Sequence, residues 1–299
     1  MPESPSARGL AAVLLGAALL GLAAVFVRWA VAGGATDVTV GFYRMALALP
    51  GIWLLARREG GPGAGPGRLW ALAAGATFFL DLWGWHAAMR HTSAANATLL
   101  VGGLSPIWVA LFSVLVLRLR FGLLGWFGQA AGLGGALVLA LARGARAGDG
   151  LGEGIALAAS FAYASYTLVL GRARRTLKAP QALFWTSLAC LACFAVAGLL
   201  RGDPFAGFTA RAWLSLVGLG LVIQLLAWWL ISWGLGHVDA ALGAIGLQAQ
   251  QVATIVLAWP LLGETPRPMG LLGALLIALG IAAVAASPRR LAARRGAEP

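Results

Sequence analysis

Apolar residues run through this 299-residue chain in long blocks, without the short alternating stretches that mark a half-buried strand. A bilayer core needs about 20 apolar residues per helix. Ten blocks meet that length, at roughly 9–32, 38–56, 68–89, 93–117, 122–142, 151–171, 181–200, 211–235, 238–262 and 268–287. The pattern predicts an all-α integral membrane protein of ten transmembrane helices. The first block follows Arg8 as a signal peptide would, but nothing soluble follows it, so it is expected to be retained as a span. The insert Glu59 to Gly67, rich in Gly and Pro, reads as a flexible connector without packed structure.

Composition sharpens this class. The chain is 60% hydrophobic and 11% charged, where soluble domains carry about 25% charged residues. A soluble globule could not bury so much apolar surface. The formal net charge of +12 does not point to nucleic acid, because the basic residues form no stripe. They cluster between apolar blocks, at Arg57-Arg58, Arg172 to Lys178 and Arg289-Arg290. With a cytoplasmic N-terminus, 14 of the 22 basic residues fall on the inside and eight on the outside. Both termini are therefore expected in the cytoplasm, and the partner implied is the lipid bilayer. Lys178 is the single lysine, and with abundant Ala and Gly this suits a GC-rich bacterial genome, hence a bacterial inner membrane.

An internal repeat underlies the ten blocks. Setting Ser105-Pro106 beside Gln250-Gln251 brings Gly125 onto Gly270, Gly135 onto Gly280 and Trp83 onto Trp228, each at an offset of 145 residues. Five helices is an odd number, so a second copy must enter the membrane inverted. The charges agree: Arg118 and Arg120 follow the fourth block, whereas Glu264 follows the ninth. The expected units are 1–147 and 148–299, two inverted five-helix repeats with a substrate site near the midplane.

Three segments carry a family resemblance: Phe42-Tyr-Arg-Met-Ala, the stretch from His91 to Leu100 leading to Ser105-Pro106, and Leu262-Gly-Glu-Thr-Pro with Gly270 to Gly280. On these the chain resembles the EamA-type transporters of the drug/metabolite transporter superfamily across nearly its whole length. Within that group it is most similar to bacterial aromatic amino acid exporters. The second copy departs from the pattern, with Gln250-Gln251 where other members commonly carry proline. The resemblance implies a secondary transporter without a cofactor, exporting amino acids. In some members the helices matching the fifth and tenth blocks make dimer contacts, which leaves a homodimer open.

Polar residues inside apolar blocks are costly and mark candidate sites. Gln248 and Gln251 share a face of the ninth block by their i, i+3 spacing, either as substrate ligands or as interhelical hydrogen-bond partners. Asp81 is the sole acid well inside a span. It is a proton-coupling candidate with His86, a ligand for a substrate ammonium, or a hydrated carboxylate near a membrane face. Trp85, Trp108 and Trp228 offer stacking surfaces, Tyr163 an apolar ring with a hydroxyl, and Asn96 a further amide. Pro106 denies Gly102 its helical hydrogen bond and is expected to kink the helix, as a hinge or for packing. Arg44 is expected to snorkel outward or pair with Asp37. With no Arg or Lys expected deep in the spans, phosphorylated substrates are set aside. Cys190 and Cys193 read as small apolar residues, with no metal site around them.

No nucleophile, acid pair or metal cluster has the spacing of an enzyme site, and His86 and His91 lie about 140° apart on a helix. The expectation is an amino acid exporter working by alternating access. An exporter of other small metabolites or drugs, or a membrane sensor or scaffold without flux, are the alternatives.

Overall fold

The computed structural model describes residues 7–63, 65–117, 119–141, 150–235, 237, 247, 249–265, 268–286 and 289–291. These residues hold ten helical spans. In the first half they are α1 (Ala7–Ala32), α2 (Asp37–Arg58), α3 (Pro66–Ala88), α4 (Ala94–Leu117) and α5 (Leu123–Leu141). In the second they are α6 (Leu151–Ala173), α7 (Ala179–Arg201), α8 (Ala210–Leu235), α9 (Ala249–Leu262) and α10 (Pro268–Ala286). Five helices are long and apolar enough to cross a membrane by length and composition: α1, α2, α6, α7 and the Ala210–Gly234 stretch of α8. Large apolar side chains such as Leu69, Leu123 and Leu200 are exposed, as lipid-facing residues would be.

Local chemistry sets several helix ends. Thr36 and Thr39 close a capping box that starts α2, with Thr39 N donating to Thr36 Oγ1 at 3.1 Å and Thr36 N to Thr39 Oγ1 at 2.8 Å. Gly202 ends α7 with a positive φ of 65°, a conformation cheap only for glycine. α4 continues through Pro106 to Leu117 as one helix. α8 does not hold α-geometry throughout: Gly218–Ala227 is π-helical, between α-helical turns at Ala210–Val217 and Trp228–Leu235. Such widened turns are rare and collect at functional sites.

The principal helix packings all join one half to the other. α5 lies on α10, α3 on α6 and α7, α4 on α6, α2 on α7 and α8, and α1 on α8 and α9. Exchanging each helix for the one five places away reproduces this same set of pairs. Glycines let the backbones approach. A Cβ on Gly135 would lie 2.6 Å from the Gly273 carbonyl, and one on Gly280 would lie 2.6 Å from the Gly128 carbonyl. Gly128 and Gly273 stand at the same 145-residue offset as Gly135 and Gly280. Because the late residue of each helix meets the early residue of the other, α5 and α10 run antiparallel where they touch. Gly75 and Gly220 repeat the theme at that offset: Gly75 meets Thr186 and Cys190 of α7, and Gly220 meets Leu47 and Ala48 of α2.

Two small features join segments distant in sequence. Leu119–Phe121 pairs antiparallel with Arg289–Leu291, tying the segment after α4 to the one after α10. The Gly-rich insert is packed after all, contrary to the expectation of a free connector. Gln181 Nε2 donates to the Gly61 carbonyl at 2.9 Å, Trp185 Nε1 to the Pro62 carbonyl at 2.8 Å, and Lys178 pairs with Glu59 at 2.9 Å. The start of α7 supplies side-chain donors that satisfy these loop carbonyls.

Candidate functional site

The polar residues buried among the helices fall into two groups at different depths. The shallow group gathers at the start of α2. Asp37 opens that helix and is 3% exposed. Its Oδ2 accepts from Trp83 Nε1 at 2.8 Å, and its Oδ1 pairs with Arg201 at 3.4 Å and Arg90 at 3.7 Å. His86 lies beside it, its Nδ1 3.0 Å from the Asp37 carbonyl oxygen. The carboxylate of Glu264, after α9, meets the first turn of α4 through Ala94 N at 3.0 Å and Ala95 N at 3.3 Å, and pairs with Arg28 at 3.4 Å.

The deep group centres on Arg44. The capped start at Asp37 places Arg44 seven residues, ~10 Å, into α2. Its stripe of the helix, with Gly41 and Ala48, is buried, and Arg44 itself is 4% exposed. Arg44 Nε donates to Gln224 Oε1 of α8 at 2.9 Å. This corrects the expectation that Arg44 snorkels or pairs with Asp37: its helix turns it inward, and Asp37 is occupied by Arg90 and Arg201. The argument that set phosphorylated substrates aside for want of a deep cation falls with it. Gln224 sits in the π-helical part of α8 and is fully buried. Within electrostatic reach of Arg44 lie Asp81 of α3, Tyr163 and Tyr166 of α6, and Cys190 of α7. Phe78 stacks on Tyr166 at 4.6 Å, and Tyr166 on Tyr163 at 5.9 Å, forming an aromatic wall.

Polar groups of this cluster are left unmatched. Among the described residues, the bond to Gln224 is the only hydrogen bond of Arg44, and its Nη groups make none. Asp81 is 4% exposed, its Oδ1 has no partner, and it makes no ion pair with Arg44. Gln224 Nε2, Trp228 Nε1 and His86 Nε2 are likewise buried without partners. Buried polar groups in folded proteins are nearly always paired, so such a concentration marks a place built to meet something else.

The structure thus brings Asp81 and Tyr163 together around Arg44, with Trp228 one turn beyond Gln224. Trp85 Nε1 donates to Thr98 Oγ1 at 3.3 Å, and His86 packs against Trp85 on the Asp37 side. Trp108 Nε1 donates to Ser160 Oγ at 2.7 Å and its ring meets Phe161, so its polar edge is engaged by α6. Asn96 stands in the first turn of α4, its backbone N–H bonded to Ser93 Oγ at 3.0 Å. Pro106 is inside α4. Gln251 is on α9, its side chain among those not described, and Gln248 lies outside the described residues. Arg44 is the residue that sequence reasoning missed. The signal for it was the Thr36 cap, which fixes how deep position 44 lies.

Comparison with known proteins agrees with the repeated architecture. Residues 7–141 and 150–286 each match the EamA-like transporter family. Among solved structures, a crystal structure of a protein at 22% identity superposes with a TM-score of 0.68, covering 94% of this chain and 99% of its own. That likeness concerns the fold alone. Among curated proteins, none matches the chain closely enough to count as a relative.

Proposed function

Because this multi-pass membrane protein belongs to the EamA-like transporter family, we propose that it is a secondary transporter exporting amino acids across the bacterial inner membrane by alternating access. Aromatic and other amphipathic or neutral amino acids are the favoured substrates. The observation that carries this reading is the Arg44–Gln224 bond. It joins α2 of the first half to α8 of the second, about two turns or more from any helix end, amid buried polar groups without partners. A charge there costs about 3 kcal/mol on insertion scales unless it is matched, which makes a midplane cation a functional feature by default.

Ten membrane-spanning helices in two inverted halves, with both termini cytoplasmic, give this site its mechanism. The antiparallel α5–α10 contact, made twice over by equivalent glycines, supports the inversion. The pairing of Leu119–Phe121 with Arg289–Leu291 supports placing the ends of α4 and α10 on one face, the same that holds the inside basic clusters. The halves then rock about the seam where Arg44 meets Gln224, exposing the site to one face at a time.

Purified protein in liposomes is expected to accelerate counterflow of labelled Trp, Phe or Met over empty liposomes. Flux of none of the amino acids, from protein that elutes as a folded species, overturns the reading. Flux of unrelated metabolites or drugs alone would assign the alternative transport class, and no flux of any solute would leave a sensor or scaffold.

A further inference from the structure

We infer that Arg44 and Asp81 divide the two poles of the substrate between them, Arg44 taking the α-carboxylate and Asp81 the α-ammonium. This assignment of roles rests on the amino acid reading above and narrows it to solutes that carry both charges.

The geometry gives three reasons. First, Arg44 is anchored but not consumed. Its Nε is fixed by Gln224 Oε1 at 2.9 Å, which leaves both Nη groups of the guanidinium fork without a bond among the described residues. A fork held at its base and free at its tip matches the two oxygens of a carboxylate. Second, Asp81 is buried to the same degree, and its Oδ1 has no partner. The two groups lie within electrostatic reach of one another yet do not close into an ion pair. In an apolar setting, two opposite charges that could reach each other would collapse together, because the attraction grows as the dielectric falls. Unpaired with each other, they offer a donor fork and an open acceptor that match the two poles of a dipolar ion. Third, depth agrees. Arg44 is seven residues from the start of α2, and Asp81 is seven from the end of α3, so successive antiparallel helices set both ~10 Å from the same membrane face.

The aromatic wall of Phe78, Tyr163 and Tyr166 lies beside this pair and offers an apolar surface to the substrate side chain. The unpaired Nε2 of Gln224 is a further donor for the carboxylate. A zwitterion brings no net charge into the bilayer interior, and its two poles would fill the free Nη groups of Arg44 and the open Oδ1 of Asp81.

The test compares an amino acid with the two derivatives that each lack one pole. In liposomes holding the wild-type protein, counterflow of whichever of labelled Trp, Phe or Met moves fastest is challenged with the unlabelled amino acid, its carboxamide and its N-acetyl form. The amino acid is expected to compete at concentrations at least about tenfold below either derivative, since each has lost a charge-assisted contact. Arg44→Gln is expected to erase the discrimination against the carboxamide while keeping that against the N-acetyl form. Asp81→Asn is expected to do the reverse. Equal competition by either derivative in the wild type overturns the inference and leaves amino acid transport standing. So does a variant whose selectivity changes at the wrong pole. Where a variant does not fold, the wild-type comparison decides alone. No flux of any amino acid overturns this inference together with the reading it rests on.

Discussion

Two carboxylates of this protein are buried to the same extent and could hardly be treated more differently. Asp37 is 3% exposed and Asp81 is 4% exposed. Asp37 receives an indole N–H from Trp83 and the guanidinium groups of Arg201 and Arg90. Asp81 has no hydrogen bond among the described residues, and its one charged neighbour stands off. Burial of a carboxylate is tolerable when its lone pairs are filled and costly when they are not. The filled site is a fastener: Asp37 on α2 holds Trp83 on α3 and Arg201 at the end of α7, binding the two halves at one end. The unfilled one leaves an acceptor without a partner inside the protein. Saturation, and not burial, separates these two carboxylates, and on the proposed reading it divides a structural acid from a ligand.

Exchanging the charge at each position is the strongest way to break that contrast. Asp81→Asn is expected to lower amino acid flux tenfold or more and to leave the melting temperature in detergent unchanged or raised, because it removes an unmatched buried charge. Asp37→Ala is expected to destabilise the fold by about 2 kcal/mol, chiefly by stranding the Trp83 indole N–H. Arg90 and Arg201 are each more than a third exposed, so water screens most of their loss. Flux per folded molecule should survive in that variant. A drop in melting temperature for Asp81→Asn equal to that of Asp37→Ala would make Asp81 a fastener too.

A gentler change sharpens the role of the deep pair. Gln224→Leu removes the only hydrogen-bond acceptor of Arg44 among the described residues, without touching Arg44 or Asp81. The guanidinium should lose its fixed orientation and the substrate its aligned fork. A rise in KM of about three- to tenfold, with kcat nearly kept, is expected from concentration-dependent uptake, the size of one ordinary lost hydrogen bond. An unchanged KM would mean that Gln224 does not orient Arg44.

How much of this could be read in the chain follows from the range of the interactions involved. Nine of the ten apolar blocks became helices within a few residues of their expected ends, and the ninth is helical over Ala249–Leu262, its expected start lying outside the described residues. Lipid burial demands a continuous apolar surface, and that demand is written locally. The 145-residue offset also carried over, with Gly135 and Gly280 placed at matching contacts. Asp81 drew notice because acids are rare inside such blocks, and Tyr163 because tyrosine is, with three in the chain; both lie within electrostatic reach of Arg44. Arg44 was misjudged: an arginine near the start of an apolar run usually reaches for water, and its inward face depends on the packing of α2 on α7 and α8. The Gly-rich insert was misjudged for a similar reason. Its carbonyls are satisfied by Gln181 and Trp185, about 120 residues away, and no local pattern records that partnership.

A third acid, Glu264, tests whether saturation alone is the criterion, and its expected effect is the smallest. Its carboxylate accepts from the first two N–H groups of α4, at Ala94 and Ala95, and pairs with Arg28. An acid at a helix start fills donors that have no partner within the helix and sits favourably in the helix dipole. The Arg28 pair adds little, since about a third of that arginine side chain is in contact with solvent. Glu264→Gln keeps one oxygen acceptor and loses the charge and one bond, so a loss of about 1 kcal/mol is expected from thermal unfolding, with flux close to wild type. The contact also joins the loop after α9 to α4 and α1 of the other half, so it lies where rocking halves would part. Should Glu264→Gln cut flux as deeply as Asp81→Asn while the fold holds, a fully bonded carboxylate would be functional, and saturation would no longer divide the acids of this protein into fasteners and ligands.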